Sequence, residues 1–194
     1  TRICGACLIT AFFMAKLDII TAPDPRLKVK STPVERVDAG VRRLMDDLFE
    51  TMCAAYNGVG LAAPQVGVAR RVLAIDLSLG EETPNPLYVA NPKIIWSSEE
   101  FLSAEESCLS IPEHSAEVIR PAAVRVRYLD RDNEVQEMDA EGFLAICIQH
   151  EMDHLDGILF IDHLTAVKRN IILRKLTKTR KRTSAKAAVT APIL

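Results

Sequence analysis

Between Val37 and Met52 the apolar residues Val37, Val41, Leu44, Met45, Leu48 and Met52 recur at helical spacing. That pattern predicts an amphipathic helix over about Val34–Asn57, with Gly58 as its stop. The segment ahead of it, PDPRLKVKSTPVERV (Pro23–Val37), carries three prolines and reads as extended chain. After the helix, GVGLAAPQVG (Gly58–Gly67) reads as a glycine-bounded loop, RVLAIDL (Arg71–Leu77) as a strand and GEETPNP (Gly80–Pro86) as a polar loop. LYVANP, KIIWS and AEVIR read as short strands separated by turns. In AAVRVRYLD (Ala122–Asp130), Val124, Val126 and Tyr128 alternate with Arg125 and Arg127, and RDNE turns the chain into VQEMDA as a hairpin. AEGFLAICIQHEMDHLD (Ala140–Asp156) predicts a second helix closed by Gly157. Its first half is apolar on nearly every face, which suits a buried helix. A last helix is expected over about Thr165–Thr179. With no internal repeat and no long linker, the pattern implies an α+β fold: short antiparallel sheets packed around a central buried helix, with a C-terminal helix.

Composition narrows the classes of function. The 194 residues carry a net charge of −2, and no concentrated basic face predicts DNA binding. The run RKLTKTRKR (Arg174–Arg182) reads as a solvated helix face, with a weak contact to a polyanion such as ribosomal RNA as the second reading. Five cysteines without regular spacing are no disulfide framework and point to a reducing compartment, the cytoplasm. The apolar stretch near the N-terminus is too short to span a bilayer, and no membrane partner is expected. MAKLDIITAPDPRL reads as the start of a folded domain, so residues 1–13 are expected to be an N-terminal extension, 14–180 a single catalytic domain and 181–194 a tail.

The chemistry concentrates in QHEMDH on the second helix. Four helical residues turn the chain by roughly 400°, so His150 and His154 share a face within about 40°. Glu151 lies close enough in angle to address a water held between them, and H-E-x-x-H is this geometry written as sequence. Two imidazoles, Glu151 and Asp153 on an apolar helix are costly to bury unless something pairs them, and a divalent metal does so. A third histidine at position 160 is excluded because Phe160 stands there, and a downstream glutamate is excluded because no acidic residue follows Asp162. His163, His114 and a cysteine remain. Cys108, in EESCLSIPEH, is favoured, since a thiolate suits zinc or ferrous iron. Cys147 sits on the wrong side of the helix to complete a tetrahedron and reads as wall, and His163 reads as surface or helix cap.

Three segments taken together, GVGLAAPQ (Gly58–Gln65), ESCLS (Glu106–Ser110) and QHEMDHLDG (Gln149–Gly157), resemble the three motifs of the peptide deformylase family, in order. The resemblance covers about Leu17–Leu176 and is closest to the bacterial type with a C-terminal helix. It implies a metal-dependent hydrolase that removes the formyl group from the N-terminal formylmethionine of nascent polypeptides and releases formate. It implies Cys108, His150 and His154 as ligands of one divalent metal ion, ferrous iron in the cell with zinc, nickel or cobalt as substitutes. Glu151 would act as acid and base, while the side chain of Gln65 and the backbone N–H of Leu109 would hold an oxyanion. Gly58 and Gly60 would let an extended substrate approach. Val59, Ala104, Phe143, Ile146 and Cys147 would form the pocket for the methionine side chain. The chain departs from the family pattern at Ser107, where glycine is usual, and at Ser115, where relatives often have arginine. Two rivals follow: a divergent relative with weak or altered acyl-amide specificity, and a non-enzymatic ribosome-associated module built on the basic C-terminal helix.

Overall fold

A computed structural model describes residues 16–55, 57–78 and 84–189, the last nine of these in backbone only. The expected extension, residues 1–13, lies outside the described residues, as does most of the polar loop at 80–86. The order of elements is α1 (Ala39–Cys53), β1 (Gly60–Ala62), β2 (Val72–Ile75), β3 (Leu87–Ser97), β4 (Phe101–Cys108), β5 (Ile111–Pro121), β6 (Ala123–Leu129), β7 (Val135–Glu141), α2 (Gly142–Leu155) and α3 (Ala166–Val189). Five strands form one sheet in the order β1-β2-β3-β6-β7, and β4 pairs with β5 in a second sheet. Every strand pair is antiparallel. The architecture is the expected α+β one.

Strand β2 shows how the core divides. All four of its residues are buried. Val72 and Ala74 face the cluster that contains Met45, Leu48 and Met52 of α1, while Leu73 and Ile75 face the cluster that contains Ala145, Ile148 and Leu155 of α2. Side chains alternate across a strand, so one strand serves both layers. The other side of α2 is covered by β4 and β5 and by the short 3-10 turn Phe160–His163, against which α3 packs. There Ile111, Val118, Phe160, Ile172 and Leu176 form a third apolar cluster. Helix α2 is therefore central, walled by sheet on both sides. Among the described residues, no helix is long and apolar enough to cross a membrane.

Several boundaries differ from the expectation, each for a physical reason. Helix α1 begins at Ala39, not Val34, because tertiary contacts claim the backbone ahead of it. The Asn91 side chain accepts from the Val34 N–H at 2.9 Å and donates to the Val34 carbonyl at 2.7 Å. Asn133 accepts from the Val37 N–H at 2.6 Å. Asp38 then caps the helix, accepting from the Val41 N–H at 2.9 Å. The helix ends at Cys53 with Ala54 as its cap, so Gly58 is not its stop. The presumed loop Gly58–Gly67 is strand β1 followed by a 3-10 turn at Ala63–Val66. LYVANP and KIIWS are one strand, β3, interrupted by irregular register around Asn91. Ala140 and Glu141 belong to β7, because hairpin pairing continues to Ala123 opposite Glu141. Helix α3 extends to Val189, past both the expected helix end and the 180 boundary.

The end of α2 rests on Gly157. Its φ of +74° is the left-handed conformation that closes a helix, and a Cβ there would lie 2.7 Å from the Lys28 carbonyl oxygen. Strain of this kind costs about 1–3 kcal/mol before any clash is counted. Gly157→Ala is expected to lower the melting temperature by about 4–10 °C, at roughly 2–4 °C per kcal/mol for a chain of this size. A differential scanning measurement that finds no shift would refute this account of the helix end.

Candidate metal centre

The site is built by two elements meeting at right places in their own periodicities. On β4, Glu106 and Cys108 are two residues apart and both buried, while Ser107 between them is exposed. On α2, His150, Glu151 and His154 are all buried, His154 at 1% exposure. One ligand atom each from Cys108, His150 and His154 lies within 4.8 Å of the others. Cys108 Sγ is 3.2 Å from His154 Nε2. The two imidazole rings meet edge to face with centroids 5.0 Å apart, and Phe160 stacks on His150 at 6.4 Å. The residue that excluded a third histidine thus packs against the first, His150.

The orientation of each side chain has a partner that sets it. Glu106 accepts from His150 Nδ1 at 2.8 Å, which leaves Nε2 of that ring as the free nitrogen. Glu106 is itself clamped by Arg120, whose Nε and Nη2 donate at 2.5 and 3.0 Å. Burial opposes ionisation of Glu106, but the hydrogen bonds from His150 and Arg120 overcome it and pull its pKa down to about 2. Gln65 is held through its Oε1, which accepts from the Ala62 N–H at 2.8 Å. Its Nε2 therefore points toward Cys108 Sγ at 3.5 Å and Ser110 Oγ at 3.2 Å. His154 is pushed well below the usual imidazole range by burial and by its charged neighbours, His150 first, so it presents a neutral ring.

Glu151 is the exception. Its Oε2 is buried without a hydrogen-bond partner among the described residues. Burial raises its pKa to about 7, with the charge of His150 opposing the rise. A carboxyl poised near neutrality can both take and give a proton. Cys147 is different again: burial, then the charges of Glu151 and Glu106, push its thiol up to about 12, and it stands outside the Cys108, His150 and His154 cluster.

These side chains open on a cleft of about 800 Å³. It brings together Gly58, Val59, Gly60, Gln65, Ala104 and Cys108, and with them Leu109, Phe143, Ile146, Cys147, His150 and Glu151. His154 lies behind it. Phe143 is exposed at the mouth, whereas Ile146 and Cys147 are buried deeper. The two glycines have structural reasons of their own. A Cβ on Gly58 would overlap the Met52 carbonyl, and one on Gly60 would overlap the Glu151 carboxyl. Ser107 and Ser115 face each other across β4 and β5 at the rim, and the Ser115 hydroxyl donates to Glu105 at 2.6 Å.

Sequence reasoning passed over Glu106, Ser110 and Arg120 as functional groups. Glu106 could have been noticed: two residues before the cysteine on a strand, it must share the cysteine's face. Arg120 carries no local signal, since it reaches the site only through the pairing of β5 with β4. His163 is no ligand; its Nε2 lies 2.7 Å from Asp153. His114 lines the cleft rim and bonds its own Pro112 carbonyl.

The donor set fits a divalent metal: a soft cysteine sulfur, a neutral imidazole and a second imidazole with one nitrogen occupied elsewhere. Comparison with known proteins agrees. The family described as Polypeptide deformylase matches residues 16–170. A peptide deformylase of Rhizobium meliloti is 52% identical over 169 residues, covering 87% of this chain and 97% of that protein. One from Phenylobacterium zucineum is 52% identical over 165 residues, covering 85% and 97%. The crystal structure of peptide deformylase from Ehrlichia chaffeensis in complex with actinonin superposes with a TM-score of 0.80 at 41% identity, covering 86% of this chain and 98% of that one. That from Legionella pneumophila gives a TM-score of 0.80 at 39% identity, covering 92% and 100%. A family match over residues 16–170, relatives about half identical over most of their length and solved structures of the same fold show that the chain belongs to the peptide deformylase family.

Proposed function

We propose that this enzyme hydrolyses the formyl amide of N-formylmethionyl nascent polypeptides, releasing formate. The observation that carries the reading is the buried carboxyl of Glu151, unpartnered at Oε2, beside three clustered ligand atoms in a cleft. Cys108, His150 and His154 would hold one divalent ion. When bound, such an ion supplies Lewis acidity and a water acidified toward neutral pH. Glu151 takes the proton of the attacking water and delivers it to the leaving amine. Gln65, locked by the Ala62 N–H, offers its Nε2 hydrogens to the oxyanion, joined by the backbone N–H of Leu109. Val59, Ala104, Phe143, Ile146 and Cys147 form an apolar recess suited to the methionine side chain, and Gly58 and Gly60 border the path of the extended peptide.

Thiolate and imidazole donors suit ferrous iron and zinc alike, and we assign iron as the cellular metal with zinc, nickel and cobalt as substitutes. The catalytic unit is residues 14–180. The unpaired cysteines Cys53, Cys108 and Cys147 suit the reducing cytoplasm. The basic residues of α3 would meet ribosomal RNA weakly, which brings the enzyme near its nascent substrates.

Cys108→Ala is expected to release formate from a formyl-Met peptide at background rate and to hold well under one equivalent of metal after dialysis. Metal analysis showing full occupancy would remove Cys108 from the ligand set. Glu151→Gln is expected to keep its metal while turnover falls by roughly 10²–10⁴-fold, the loss typical of a missing acid–base group. Near-normal formate release from that variant would assign the proton transfer to another residue.

A further inference from the structure

Asp153 stands on α2 between the two histidines but takes no part in the cleft. Its Oδ2 accepts two hydrogen bonds, one from Arg120 Nη1 at 2.9 Å and one from His163 Nε2 at 2.7 Å. Arg120 and Glu106 are buried, with side chains 6% and 4% exposed. Asp153 and His163 are partly exposed, at 20% and 36%. A continuous chain of contacts thus runs from the metal-site imidazole of His150 through Glu106, Arg120 and Asp153 to His163 at the surface.

We infer that His163 is a positioning residue for the metal site, anchoring the outer end of the chain Asp153–Arg120–Glu106 that sets the orientation of His150. This rests on the reading of Cys108, His150 and His154 as metal ligands. The reason lies in the geometry of the guanidinium. Arg120 gives Nε and Nη2 to Glu106 and has Nη1 left over. A buried guanidinium with an unmet donor is costly, so Nη1 needs the Asp153 carboxylate. Asp153 has water within reach, and a carboxylate at a helix surface exchanges rotamers readily. The second donor, from His163, holds the same oxygen and keeps it turned toward Arg120. Released, Asp153 would turn to solvent and Arg120 would re-centre on Glu106. Glu106 Oε2 is shared between Arg120 Nη2 and His150 Nδ1, so any such shift reaches the ring. The chain also holds two carboxylates against one guanidinium, which favours a cation on the far side of His150. An exposed side-chain contact in isolation is worth little. This one differs because its other end is buried against a ligand.

The test compares wild type, His163→Leu and His163→Gln, each stripped of metal and titrated with zinc against a chelator. Cobalt absorption spectra report the ligand field, and melting of the metal-free proteins reports the fold. Removing a group in direct contact with a metal-bound histidine weakens binding about 10–100-fold. Further out, His163→Leu is expected to weaken zinc about three- to tenfold, to shift the cobalt spectrum and to leave the metal-free melting temperature in place. His163→Gln, whose Nε2–H reaches the same oxygen, is expected to bind zinc within about twofold of wild type. Should the leucine variant not fold, His163→Asn, polar but too short to reach Asp153, carries the same expectation. Zinc binding unchanged in the Leu or Asn variant, or weakened equally in the Gln variant, would overturn the inference. A wild-type protein that binds no zinc would overturn the metal reading and this inference with it, whereas a wild type that binds zinc but releases no formate would count against the proposed reaction alone.

Discussion

The need to bury polar side chains on an apolar helix governs this structure. Gln149, His150, Glu151 and His154 all lie in the last turns of α2, and all are buried. Each unmet polar group in such a place costs roughly 1–3 kcal/mol or more. The fold meets the cost three times out of four with its own atoms. Gln149 donates to the carbonyls of Ala145 and Pro121. His150 is met by Glu106, and His154 by Cys108. Of these four, Glu151 alone keeps a buried side-chain oxygen with no partner among the described residues. A group left unsatisfied in an otherwise satisfied cluster is where chemistry is expected.

That constraint also accounts for the two sheets. Covering α2 on one side takes the inner face of the five-stranded sheet, whose side chains form an apolar cluster with it. The other side must supply polar partners, and the alternation of β4 provides them. Glu106 and Cys108 share the inward face while Glu105 and Ser107 point out. One strand thereby delivers both the Cys108 sulfur and the carboxylate that orients the His150 ring. The partner strand β5 adds Arg120, and the 3-10 turn after α2 adds Phe160 against His150.

How far this was legible beforehand depends on the range of the contacts involved. His150, Glu151 and His154 were readable because their geometry is local to one helix. Cys108 was readable only by excluding other ligands and by the resemblance of its motif, since its contact with His154 spans 46 residues. The same distinction holds for the fold. The core faces of α1 and α2 follow from periodicity, but the start of α1 does not. Val34 and Val37 fit the helical pattern and are withheld from the helix by Asn91 and Asn133, 57 and 96 residues away. The segment Gly58–Gly67 was misjudged as a loop for a related reason. Its glycines suggest flexibility, yet Gly60 lies in a strand wholly buried in the sheet.

Gly60 also revises what a glycine beside the cleft is for. A residue without a side chain there suggests room for a substrate backbone, yet the space a Cβ would take is already filled by the Glu151 carboxyl. The backbone of β1 and the Glu151 side chain are therefore in contact, and β1 is fixed by its pairing with β2. Gln65 follows three residues after Ala62, whose N–H it accepts, so the same short segment also sets the amide that faces Cys108. One rigid stretch of chain thus positions the Glu151 carboxyl by leaving out a side chain and the Gln65 amide by tethering one. Both groups must keep their place to within a fraction of an ångström for the proposed reaction, and a flexible loop could not hold them there.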